Sequence, residues 1–125
     1  VACRLSELVL DCRDPQALAD FWCAVLGYRR LGEEDGAVEI GPAEGFGGLA
    51  PTLVLSPSAE ARTAKLPLHL DVSPTDRDQA EELQRLLDLG ARRVDIGQRD
   101  TDSWHVLADP EGNEFCLLRT RIAPA

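Results

Sequence analysis

Apolar and polar residues alternate along "ELVLDC" (7–12), with Leu8, Leu10 and Cys12 on one face and Glu7, Val9 and Asp11 on the other. A period of two marks a strand with one covered face. The rhythm then changes. In "DPQALADFWCAVLG" (14–27), Ala17, Leu18, Phe21, Trp22, Val25 and Leu26 recur at helical spacing. Asp14 is placed to cap this helix, Pro15 suits its first position, and Gly27 suits its end. Three further strand patterns follow: "YRRLGE" (28–33), "AVEIG" (37–41) and "TLVLS" (52–56).

The whole series then recurs. "HLDVSPTD" (69–76) matches "ELVLDCRD" (7–14), with Leu68, Leu70 and Val72 opposing His69, Asp71 and Ser73. In "DRDQAEELQRLLDLG" (76–90), Ala80, Leu83, Leu86 and Leu87 form the apolar stripe. Thr75 or Asp76 is expected to cap it, and Gly90 to end it. Strand patterns follow in "ARRVDI" (91–96), "SWHVLAD" (103–109) and "EFCLLRT" (114–120). The near-identical "LGYRRL" (26–31) and "LGARRV" (89–94) mark the helix-to-strand corner of each copy.

This pattern predicts an α+β fold of two tandem β-α-β-β-β modules, about 5–56 and about 66–120, in a single domain. One module of about 60 residues buries too little surface to be comfortable alone. Two are therefore expected to share a core, with a curved mixed sheet around a central cavity and the helices outside. "SPSAEARTAKL" (56–66) reads as a linker, and "GPAEGFGGLAP" (41–51) as a mobile loop.

The polar strand faces should line the cavity. "DPEG" (109–112) suits a type I turn. Symmetric pairing around it sets 105 opposite 116 and 106 opposite 115. That register sends Trp104, Val106, Phe115 and Leu117 to the helix side. It turns His105, Glu114 and Cys116 toward the cavity. The expected cup for a small-molecule ligand or substrate is then Glu7, Asp11, His69, Asp71, His105, Glu114 and Cys116.

Composition narrows the partners. Lys and Arg number 13 against 22 Asp and Glu, for a net charge of −9. Such a field repels phosphate backbones and anionic lipid, so neither nucleic acid nor a membrane is expected. No apolar run reaches the length of a membrane span, and "VACRLSELVL" lacks the form of a signal peptide. The four cysteines fit neither a zinc knuckle nor a disulfide scaffold. Cys3, Cys12 and Cys23 read as free thiols in a reducing cytoplasm. Trp22 and Trp104 read as core residues. Neither a Gly-rich phosphate cradle nor a GxSxG elbow is present.

The paired units, with "LVLDCRDPQALADFWCAVLGY", "LHLDV" and "WHVLADPEGNEFCLL", resemble the glyoxalase-like branch of the vicinal oxygen chelate superfamily. The resemblance runs from about Leu5 to Arg119 and implies the fold. It selects no single activity, because the superfamily spans isomerases, extradiol dioxygenases, epimerases, thiol transferases acting on antibiotics and non-catalytic drug-binding proteins. It implies a metal ligand on the first and fourth strands of each module. Glu7 and His69 fall on the first-strand positions. Cys116 stands where the usual Glu would be, with Glu114 two residues earlier, and "TLVLS" offers no ligand. Two of the four positions therefore depart from the pattern.

Three protein ligands are the usual minimum for a catalytic metal. Glu7, His69 and Cys116 would make such a set, with His105 or Glu114 as replacements. Its mixed donors suit zinc, nickel or iron better than magnesium. The favoured expectation is a pocket for a small organic molecule without a complete family metal site. The alternative is a divalent-metal-dependent lyase, isomerase or dioxygenase chelating vicinal substrate oxygens, with Glu114 as base. A third is a protein sequestering an antibiotic or metabolite, against which the 5% aromatic content argues. The resemblance also implies a homodimer.

Overall fold

Asp14 starts the first helix as its chemistry requires: its carboxylate accepts the Ala17 N–H at 3.1 Å. Helix α1 runs Pro15–Leu26 and ends at Gly27, which takes φ +70°. A computed structural model describes residues 2–59, 65–94 and 103–124. The first series is β1 (Glu7–Cys12), α1, β2 (Arg29–Glu34), β3 (Ala37–Gly41) and β4 (Thr52–Pro57). The second is β5 (Leu70–Val72), α2 (Gln79–Leu89), β6 (Arg92–Arg93), β7 (His105–Ala108) and β8 (Glu114–Leu117). The fold is α+β, and each series is β-α-β-β-β.

The chain divides into two compact units, Val1–Ala61 and Arg62–Ala125. Each holds one four-stranded mixed sheet, ordered β1-β4-β3-β2 in the first and β5-β8-β7-β6 in the second. The first and fourth strands of each unit pair parallel, and the other pairs are antiparallel. A parallel pair needs a crossover connection, and the helix that follows each first strand begins it. The repetition reaches single bonds. Ser58 N–H donates to the Cys12 carbonyl at 2.8 Å, and Leu118 N–H donates to the Val72 carbonyl at 2.8 Å.

The repeated corner phrase has the same structural meaning in both units. Gly90 takes φ +116° at the end of α2, as Gly27 does after α1. One residue on, Tyr28 N–H donates to the Cys23 carbonyl and Ala91 N–H to the Leu86 carbonyl, both at 3.1 Å. A left-handed residue followed by this bond satisfies the helix's last carbonyls.

In the first unit α1 packs across β3 and β4. It buries Leu18, Ala19, Phe21, Trp22 and Val25, while Val38, Ile40, Leu53 and Leu55 are buried on the sheet. Phe21 and Trp22 meet edge to face with centroids 5.3 Å apart. Arg30 ties β2 to the helix through Gln16 and Asp20. The 41–51 loop is anchored by Arg4, which donates to the Gly47 carbonyl at 2.6 Å, and by the Tyr28 hydroxyl, which donates to the Pro51 carbonyl at 2.7 Å.

Several sequence expectations change. Helix α2 is capped by Asp78, whose carboxylate accepts the Glu81 N–H at 2.9 Å, and not by Thr75 or Asp76. A longer approach from β5 moves the start of the helix. Leu83 and Leu86 are buried as expected, but Ala80 is exposed. Trp104 is 38% exposed and is no core residue, unlike Trp22. The residues read as a linker begin within β4, which extends to Pro57. Residues 60–64 of that stretch and the end of "ARRVDI" lie outside the described residues.

Candidate functional site

The second sheet sorts its side chains by register. Parallel pairing sets Asp71 beside Cys116, and Leu70 and Val72 beside Phe115 and Leu117. Alternation along the edge strand puts His69 on the Asp71 face. Across β7 and β8, Val106 pairs with Cys116 and Ala108 with Glu114, so these four share that face too. The opposite face carries Leu70, Val72, Leu107, Phe115 and Leu117.

The hairpin register corrects the symmetric pairing expected around "DPEG". His105 pairs with Leu117, not Cys116, and Val106 pairs with Cys116, not Phe115. The cause is the turn. Gly112 takes φ +85° and its N–H donates to the Asp109 carbonyl, while Asp109 N–H donates to the Asn113 carbonyl. This is a three-residue loop closed by a left-handed glycine, which shifts the pairing by one. Buried Asp109 fixes it by accepting Glu111 N–H, Asn113 N–H and the Asn113 side-chain amide, each at 2.9 Å. His105 therefore lies on the face opposite Cys116 and Glu114, and Val106 joins theirs. Burial, then the charge of Arg93, pushes the His105 imidazole below its ordinary pKa.

The remaining polar residues of this face converge. His69 Nε2 lies 3.0 Å from Asp71 Oδ1, and both side chains are about half exposed. Cys116 is buried beside them. Its thiol pKa is raised, first by burial, then by the Asp71 charge and by the hydrogen bond the thiol donates to Asp71. Glu114 adds to the rise, and Lys65 opposes it. Lys65 Nζ lies 3.1 Å from Glu114 Oε1, a buried oxygen, and forms an ion pair with it. Sequence reasoning placed Lys65 in a linker, and nothing in the hydrophobic pattern marks it as a neighbour of Glu114.

The first unit presents a different surface. Glu7, Val9 and Asp11 of β1 pair with Thr52, Val54 and Ser56 of β4. Thr52 Oγ1 donates to Glu7 Oε2 at 3.4 Å and is 3.5 Å from the Ser6 carbonyl. Thr52 is fully buried, and a Cβ on Gly41 would stand 2.8 Å from its methyl group. Asp11 is exposed. Strand β4 thus offers hydroxyls and a methyl-bearing face, but no imidazole, thiol or carboxylate.

Donor chemistry shows which metals these residues fit. The ligand atoms of His69, Asp71 and Cys116 all lie within 4.8 Å of one another. One nitrogen, one oxygen and one sulfur make a borderline-to-soft set. It suits zinc or a similar ion and suits a hard, oxygen-seeking ion poorly. An ion bound there would be held by those three side chains.

Comparison with known proteins fits this architecture. A family model described as "Glyoxalase-like domain" matches residues 7–118. No curated protein matches the sequence. Among solved structures, the fosfomycin resistance protein FosX from Mesorhizobium loti is 14% identical, with a TM-score of 0.70, over 96% of this chain and 94% of that one. FosX from Listeria monocytogenes, solved with Mn(II) and a sulfate ion, is 12% identical with a TM-score of 0.72, over 95% and 91%. A possible glyoxalase from Bacillus cereus is 18% identical with a TM-score of 0.67, over 94% and 99%. These identities speak to the fold alone. With the family model spanning both β-α-β-β-β series, the chain belongs to the glyoxalase-like domain family of the vicinal oxygen chelate superfamily.

Proposed function

We propose that this chain binds a small, oxygen-bearing organic molecule against the His69–Asp71–Cys116 face of the second sheet, as one glyoxalase-like domain without the complete metal set implied by its family resemblance. One observation carries the reading: donors and acceptors of different kinds converge on one face. The neutral Cys116 thiol and the His69 imidazole can donate, Asp71 and Glu114 can accept, and Lys65 adds a cation beside Glu114. Half-exposed His69 and Asp71 admit a ligand, and buried Cys116 and Val106 give it a floor. Few, well-placed polar groups over apolar walls are the usual make-up of small-molecule sites.

Titration calorimetry with a panel of α-keto thiohemiacetals, catechols and drug-like aromatics tests this. A saturable ligand is expected, with affinity reduced about tenfold or more in His69→Gln or Glu114→Gln. A ligand whose affinity neither variant alters would place binding elsewhere and refute the reading.

A second reading is favoured by the close grouping of three metal-binding atoms. It makes the chain a divalent-metal-dependent lyase, isomerase or dioxygenase acting on vicinal oxygens. A bound ion would supply Lewis acidity to substrate oxygens. Glu114, two residues from Cys116 on the same face, would hold or remove a substrate proton. Relatives named for fosfomycin resistance, one of them solved with Mn(II), support metal chemistry on this fold.

A further inference from the structure

We propose that Asp71 is a metal ligand, so that the second unit alone holds a divalent cation through His69, Asp71 and Cys116, with a preference for zinc or cobalt over manganese or magnesium. The inference deepens the second reading above and rests on it only for the presence of a cation. It requires no catalysis.

Register carries the argument. Asp71 and Cys116 are partners across the parallel β5–β8 pair. His69 stands two residues before Asp71, just ahead of the same edge strand, so both project to one side. His69 Nε2 and Asp71 Oδ1 are already 3.0 Å apart. Ligands about 2.0–2.3 Å from a tetrahedral zinc sit roughly 3.3–3.8 Å from each other. A set contained within 4.8 Å closes to that spacing by side-chain rotation. Exposed His69 and Asp71 form the entrance, and Cys116 the base. Three ligands leave a fourth position open on the exposed side. On binding, the Cys116 thiol gives its proton to solvent and its sulfur pair to the ion.

Glu7 is not needed. Its carboxylate accepts from Thr52 within the first unit. The Cys116 sulfur among the three donors shifts preference toward softer ions. Glu114 remains outside the set, beside Lys65.

Titration of the full, reduced chain with Co(II) tests the proposal by absorbance. The expected result is saturation at one ion per chain, with a near-ultraviolet thiolate-to-cobalt band and tetrahedral visible bands. The near-ultraviolet band should vanish in Cys116→Ser. Affinity should fall by roughly tenfold or more in Asp71→Asn and in His69→Gln, and stay within about twofold in Glu7→Gln. His69 and Asp71 are exposed, so their variants should fold even if Cys116→Ser does not. The proposal is overturned by an absent band, by full affinity in Asp71→Asn, or by an equal loss in Glu7→Gln. A band surviving in Cys116→Ser would assign it to Cys3, Cys12 or Cys23 and also refute it. If cobalt binds as described but no substrate of the panel turns over, the catalytic reading fails and the cation site stands.

Discussion

Asp71 and Cys116 stand beside one another across a parallel strand pair, the carboxylate half exposed and the thiol buried. Forty-four residues of chain lie between them, and only the return of β8 to the edge of β5 unites them. The same return pairs β4 with β1 in the first unit, where it brings Glu7 to Thr52 instead. One backbone plan thus carries two different surfaces. The chemistry diverges where the fourth strand offers a thiol in one copy and hydroxyls in the other.

The caps test the helix boundaries. Asp14→Ala and Asp78→Ala should each cost about 1 kcal/mol of unfolding free energy in urea titrations, because each leaves a first-turn N–H without its acceptor. Asp76→Ala should cost much less. The reverse order would restore the boundary expected from sequence.

Core packing gives a larger effect. Trp22 is 1% exposed and meets Phe21 edge to face. Trp22→Ala should lower stability by roughly 3–5 kcal/mol. Trp104→Ala, at an exposed position, should cost far less in the same denaturation experiment. Equal losses would contradict the placement of Trp104.

Gly27 separates backbone strain from crowding. No atom lies within 4 Å of an added Cβ there, but φ is +70°. Gly27→Ala should therefore destabilise by about 1–2 kcal/mol through conformation alone. At Gly41, φ needs no glycine, but a new Cβ would meet Leu31 and Thr52 at 2.8 Å. Gly41→Ala should perturb the Glu7–Thr52 region in amide spectra, whereas Gly27→Ala should leave it unchanged.

His105 supplies a pH test. Its folded pKa lies below the ordinary 6.5, chiefly because burial disfavours the imidazolium and secondarily because Arg93 repels it. The folded state therefore resists protonation more than the unfolded chain does. The resulting stability is present above the unfolded pKa and is lost as pH falls through the folded one. Imidazole proton shifts should report a midpoint below 6.5 that rises in Arg93→Gln. A midpoint at or above 6.5 in the parent chain would contradict this environment.

Much of this organisation is legible in the sequence, because it is written in local periodicity. The alternation of "ELVLDC", the helical stripe of "DPQALADFWCAVL" and the glycines at 27 and 90 each act within a few neighbours. Recurrence of the series then fixes the repeated topology. The β7–β8 register is less legible. It depends on whether Gly112 closes a two- or three-residue loop, a choice that Asp109 settles through hydrogen bonds invisible to a hydrophobic pattern. That single step moves His105 off the candidate face and leaves Cys116 and Glu114 on it. Asp71 is visible as a polar strand residue, but its closeness to Cys116 follows from a long-range parallel pairing. Lys65 carries no periodic signal at all.

The ligand is expected on the Cys116 face of the second sheet and not on the face that carries His105. Amide and side-chain shifts recorded while the reduced protein is titrated with zinc, and then with the organic ligand that binds best, read this directly. Changes should centre on His69, Asp71, Glu114 and Cys116, with His105, Leu107 and Phe115 little affected. Changes centred instead on His105 and its face, or confined to the first unit, would contradict the account.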